Sequence, residues 1–116
     1  MTEQTGYTVE PPSGGYPIEK REVVAKTPDL RMVILTLARG QEVPWHFHTI
    51  TADTFFCMVG PMVIETRDPE GRVELNAGQL HAIPAGRPHR VTGKDGGRCK
   101  FAILQGVGLY DFNPLR

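Results

Sequence analysis

The sequence carries no surplus charge of either sign: 13 Lys and Arg are matched by 13 Asp and Glu. Nucleic-acid backbones and anionic membranes are recognised through clustered positive charge, so neither is an expected partner. The densest basic group, Lys94, Arg98 and Lys100, reads as a solvated turn and strand edge. Cysteine is scarce. Cys57 and Cys99 are the two, no C-x-x-C occurs, and two buried free thiols are expected. Long apolar runs are missing, and none approaches the ~18 residues of a membrane span. The opening stretch, MTEQTGYTVEPPSGG, lacks the basic and apolar blocks of a signal peptide. The expected location is therefore the cytoplasm. Helical periodicity is missing too: no segment keeps a 3.6-residue period over ten residues.

Short strand patterns separated by turns are abundant instead. Residues 1–19 form an irregular N-terminal arm rich in Pro and Gly, with a short strand near Tyr7, and residues 20–116 form one domain. Strands are expected over residues 22–26, 31–38, 45–48, 53–59, 62–67, 71–75, 79–83, 89–92 and 98–105. Asp68-Pro69-Glu70-Gly71 is a strong hairpin signal, and Gly93 to Gly97 reads as another. The near-continuous apolar run 31–38 (RMVILTLA) implies burial on both faces or an edge that meets a partner subunit. Strands of this length, broken by Gly, Pro and Asp turns, define an all-β sandwich or barrel.

The chemistry concentrates in residues 40–60, GQEVPWHFHTITADTFFCMVG. His46 and His48 lie two apart, so in an extended strand their imidazoles point the same way. Asp53 follows five residues later, and Trp45 has the opposite parity to His46. The chain has four histidines, the others being His81 and His89. A lone strand histidine is ordinarily a satisfied polar residue. A spaced set is a different matter.

With its spacings in view, the chain resembles the cupins, small jelly-roll barrels also described as double-stranded β-helices. Their first motif, G-x5-H-x-H-x3,4-E-x6-G, is met here by Gly40, His46, His48, Asp53 and Gly60. Their second, G-x5-P-x-G-x2-H-x3-N, is met by Gly78, Pro84, Gly86, His89 and Gly93. Two positions depart from the pattern. Asp53 stands for the usual Glu, and Gly93 replaces the final Asn, both being turn residues. The resemblance implies one divalent transition metal per chain (Fe, Mn, Ni, Cu or Zn), held by His46, His48, Asp53 and His89. Three imidazoles and a carboxylate suit those ions on chemical grounds as well. Asp is a methylene shorter than Glu, so Asp53 is either a ligand or a carboxylate beside the ligands, where it would serve as general base.

Alternation along the strands places Phe55 and Cys57 on the face of Asp53. With Met62, Phe101 and Ile103 they would line an apolar pocket for a small molecule, although packing is the simpler role for Phe55. Cys57 is an outside candidate for a soft ligand. His81 shares the parity of Ile83 and is a packed histidine, a substrate contact or a donor behind the ligands, packing being favoured. The expected function is a metal-dependent, dioxygenase-like oxidoreductase acting on a small organic substrate. The alternative is a non-catalytic metal- or ligand-binding module with a sensing or storage role. A homodimer is the expected assembly.

Overall fold

A computed structural model of the chain describes residues 7–10 and 15–115. The strands in order are β1 (Thr8–Glu10), β2 (Lys20–Thr27), β3 (Leu30–Leu37), β4 (Glu42–Phe47), β5 (Ala52–Val59) and β6 (Met62–Thr66). They continue with β7 (Gly71–Leu75), β8 (Leu80–Ile83), β9 (His89–Gly93), β10 (Cys99–Gly106) and β11 (Asn113–Pro114). A single 3-10 turn, Lys94–Gly96, is the only helical element among the described residues, and no helix there is long and apolar enough to cross a membrane.

Two antiparallel sheets face each other, in the orders β1-β2-β3-β10-β5-β8 and β11-β4-β9-β6-β7. The predicted all-β jelly-roll barrel is what forms. Alternation sets the core: Val33, Leu35 and Leu37 of β3, Phe101 of β10, and Met62 and Ile64 of β6 are almost fully enclosed between the sheets. Arg98 and Lys100 point outward while Cys99, Phe101 and Ile103 point inward, as their parity requires. Both cysteines are buried and free.

Some local expectations need correcting. The run 31–38 is no edge, because β3 lies between β2 and β10; its even positions, Met32 and Ile34, are half-buried. Asp68 to Gly71 does close the β6–β7 hairpin, with Thr66 opposite Gly71. The segment 93–97 closes none: β9 pairs with β4 and β6, β10 pairs with β3 and β5, and the turn crosses from one sheet to the other. Gly93 is extended (φ −73°), so it does not serve as a left-handed turn residue. A Cβ at Gly93 would lie 1.8 Å from the Gly97 carbonyl oxygen, so the glycine is needed for close backbone approach. The N-terminal arm, so far as it is described, is built into the fold. β1 pairs with β2, Ile18 joins the core and Tyr16 packs against it.

The sheets bring two rows of side chains together. On the first, Arg31, Gln105, Asp53 and Ile83 are successive cross-strand neighbours. On the second, His46 lies opposite His89, which lies opposite Thr66. Val43 and His46 are three apart yet both buried, because the β4–β9 register shifts between them. That bulge re-aims His46 into the barrel, and Trp45 turns the other way, under the Arg67 guanidinium at 3.8 Å.

Candidate metal centre

Four side chains converge in the barrel: His46 near the end of β4, His48 just beyond it, Asp53 on β5 and His89 at the start of β9. Their ligand atoms lie within 4.8 Å of one another, and none of the four residues is more than 3% exposed. The turn Pro84-Ala85-Gly86 is tied to the first motif, because Gly86 N–H donates to the His48 carbonyl at 2.7 Å. Gly86 has φ +80°, a conformation glycine adopts freely. The two motifs are thus fastened together by backbone as well as by side chains.

Each of the three imidazoles is held at Nδ1 by a backbone carbonyl. His46 Nδ1 meets Pro44 O at 2.7 Å, His48 Nδ1 meets Asp111 O at 2.5 Å, and His89 Nδ1 meets Arg87 O at 2.9 Å. A carbonyl only accepts, so Nδ1 carries the proton and the Nε2 of a neutral ring is left as a lone pair. Nε2 of His48 and of His89 both face Asp53 Oδ2, at 2.9 Å and 3.0 Å. Lone pairs facing a carboxylate oxygen at that distance repel unless a proton or a metal cation lies among them. The donor set therefore fits a divalent transition metal. Asp53 reaches the cluster despite its missing methylene, and its other oxygen, Oδ1, accepts from Gln105 Nε2 at 3.0 Å.

Electrostatics in the metal-free cluster follow from this packing. Burial is the main cause that holds the His46 imidazole down at about 4, reinforced by repulsion from His89. For His48, burial acts downward most strongly, but the hydrogen bond and charge of Asp53, with help from Asp111, raise it overall. For Asp53, burial acts upward most strongly, and the His48 and His89 rings facing it, once they carry a proton at Nε2, overcome it, leaving the carboxyl well below the usual carboxylate range.

The C-terminal segment covers this cluster. The Phe112 ring stacks on His46 (centroids 4.5 Å apart, planes 22°), and Tyr110 lies 5.1 Å from the His48 ring. The Asp111 carboxylate anchors the segment by accepting from Thr49 N–H at 2.7 Å and from the Thr49 hydroxyl. Beside the cluster is a cavity of only about 10 Å³, room for roughly one water. Its lining includes His46, Asp53, Phe55 and Ile103, together with Tyr16, Arg21, Arg31, Gln105, Tyr110 and Phe112.

Of the expected pocket residues, Phe55 and Ile103 thus line the cavity, and the Phe55 ring lies 5.9 Å from that of His89. Cys57, Met62 and Phe101 are packed in the core cluster and do not line it. His81 is half-buried opposite Phe55 on the outermost strand, β8, away from the four-residue cluster. The cavity is more polar than expected because Arg21, Arg31, Gln105, Tyr16 and Tyr110 face it. A signal for two of these was present. Arg31 continues the inward phase of Val33, Leu35 and Leu37, and Gln105 continues that of Cys99, Phe101 and Ile103. Tyr16, Tyr110 and Phe112 lie in irregular chain and have no such phase.

A two-sheet antiparallel barrel enclosing three carbonyl-tethered histidines and a carboxylate defines the class of protein: a small β-barrel with a buried, metal-competent cluster. The cupin domain profile matches residues 33–105, and the chain belongs to the cupin family. Among solved structures, an uncharacterized protein with a double-stranded β-helix domain from Klebsiella pneumoniae is similar, with 25% identity over 91% of this chain and 90% of that one, and a TM-score of 0.74. A cupin-2 domain containing protein from Shewanella frigidimarina is 28% identical over 77% of this chain and 81% of that one, with a TM-score of 0.63. An oxalate decarboxylase from Lactobacillus farciminis shares the fold alone: 15% identity over 83% of this chain and 31% of that one, TM-score 0.69. No curated protein matches the chain.

Proposed function

We propose that this chain holds one divalent transition metal through His46, His48 and His89, with Asp53 as the fourth ligand, and acts as a metal-dependent oxidoreductase of dioxygenase type on a small organic substrate. The observation that carries this is the shared tethering of three histidines at Nδ1, which leaves their Nε2 atoms for a cation beside Asp53. A bound redox-capable ion would supply Lewis-acid and one-electron chemistry next to the substrate. The chain's own residues supply the rest. The backbone carbonyls of Pro44, Arg87 and Asp111 orient the rings, and Gln105 fixes the Asp53 carboxylate. Asp53, held ionised, supplies the negative charge that would balance the cation at the cluster. Phe112 and Tyr110 keep bulk water out. Free, buried thiols support a cytoplasmic setting.

The tightness of the cavity favours a second reading, a metal- or ligand-binding module without turnover. Elemental analysis of protein isolated from its native host tests the metal, since overexpression loads metals along the Irving–Williams order, and oxygen uptake by the same protein separates the two readings. Close to one transition-metal ion per chain is expected, with substrate-dependent oxygen uptake. The His46→Ala, His48→Ala double variant should retain none; full retention would refute the site. One metal per chain with no oxygen uptake from any small acid or phenol would favour the binding module.

A further inference from the structure

The cavity beside the cluster holds more positive charge than the protein itself balances. Arg21 is 8% exposed and Arg31 is half-buried, and both guanidinium groups belong to inward-facing strand positions that line the cavity. Neither forms an ion pair with a carboxylate among the described residues. Asp53 is the one acid in the lining, and His48, His89 and Gln105 already engage it. Arg31 Nε is buried without a hydrogen-bond partner, and so is Gln105 Oε1. The arginines rest on aromatic faces instead. Arg31 Cζ lies 4.0 Å from the Tyr110 ring centroid, and Arg21 Cζ lies 5.6 Å from that of Tyr16, with Nη2 3.4 Å from its hydroxyl.

Stacking on Tyr110 leaves the in-plane N–H groups of the Arg31 guanidinium for a carboxylate in two-point fashion, with Arg21, bonded through Nη2 to Tyr16, adding its charge beside it. A buried guanidinium without a counter-charge is costly, so the cavity favours whatever anion brings one. Arg31, Gln105 and Asp53 are successive cross-strand neighbours, which puts Arg31 two strand spacings, about 10 Å at the backbone, from Asp53. A small acid can therefore present its carboxylate to Arg31 and Arg21 and its remaining polar end to the four-residue cluster.

We propose that the substrate class of this site is a small organic carboxylate, anchored by Arg31 and Arg21 beside the metal centre. This rests on the metal-site assignment above for its chemistry, but not for its binding. The Arg–Tyr stacks place the acid between the β-barrel floor and the C-terminal segment. The free volume holds about one water, so the ligand is small, and its binding displaces the ring of Tyr110 or Phe112.

The test uses glycolate and its neutral near-isostere glycolamide, titrated against the full chain in metal-free and zinc-loaded forms by calorimetry. Glycolate should bind at least tenfold tighter than glycolamide in both forms. Arg31→Gln should remove most of that preference while leaving the zinc stoichiometry unchanged, and Arg31→Lys should restore part of it. Equal binding of the two ligands to the wild type would overturn the proposal, without recourse to any variant. So would a glycolate preference that Arg31→Gln and Arg21→Gln, both folded by circular dichroism, leave intact. Failure of the metal reading looks different: no zinc bound, yet glycolate still held in an Arg31-dependent way. Zinc bound with no preference for glycolate sinks the carboxylate assignment alone.

Discussion

At the scale of single residues, the centre is decided by what holds the far side of each imidazole. His46, His48 and His89 differ in strand and loop context, yet each is locked by a carbonyl at Nδ1. This selects the tautomer that can bind a cation through Nε2. Burial also gives His46 a pH signature in the metal-free protein. Its folded value is about 4 against about 6.5 in the unfolded chain. Between those values the unfolded chain binds more protons than the folded one, so this residue makes stability rise with pH, by roughly 3 kcal/mol across the window. In His46→Phe that contribution is gone. The stability difference, wild type minus variant, measured by urea unfolding of metal-free protein, should therefore increase from pH 4 to pH 6.5. A flat difference would show that folded His46 takes its proton normally.

At the scale of elements, two glycines of the second motif do different work. Gly86 needs its positive φ, but nothing lies within 4 Å of an added Cβ. Gly86→Ala should cost only about 1–2 kcal/mol, the ordinary penalty for a left-handed L-residue. Gly93 has an ordinary extended φ, but an added Cβ would meet backbone that cannot rotate away, the Gly97 carbonyl at 1.8 Å. Gly93→Ala should therefore be the worse variant, costing more than about 3 kcal/mol because the crossover between sheets must shift. Chemical denaturation of the two variants side by side checks the order; equal losses would mean that the 94–96 turn yields easily. The β4 bulge belongs to this scale too. Strict alternation puts His46 out of phase with Val43, and only the register shift aims both inward.

At the scale of the whole molecule, the outer face of the six-stranded sheet is unusually apolar. Ile34, Ala102, Phe56 and Leu80 are successive cross-strand neighbours along one row of it. Leu80 is 59% exposed and Met58, on the next strand, 43%. Ala102 is buried and Ile34 and Phe56 are half-buried, so the exposed apolar part of this face is its β5–β8 end, and an exposed apolar end of this kind marks an interaction surface. It supports a homodimer that packs sheet against sheet, in place of the strand-edge pairing that the run 31–38 had implied. Light scattering should give twice the chain mass, and Leu80→Asp should return a monomer with metal content unchanged. A wild-type monomer at micromolar concentration would dispose of the dimer.

The sequence by itself determined the sheet-rich barrel, the turn at Asp68–Gly71 and the pairing of His46 with His48, and its resemblance to the two cupin motifs implied Asp53 and His89 as the other members of the cluster. These depend on local alternation, turn chemistry and fixed spacings, all written along the chain. Its reach ended where position depends on the packing of remote segments. The Nδ1 tether of His48 comes from Asp111, 63 residues away, and the roof over the cluster comes from Tyr110 and Phe112. That Cys57, Met62 and Phe101 fill the core, while Arg21 and Arg31 face the cavity, was likewise settled by tertiary structure. Parity assigns a face of a sheet; how deep along that face a side chain lies, and what closes over it, is set by the opposing sheet and the tail.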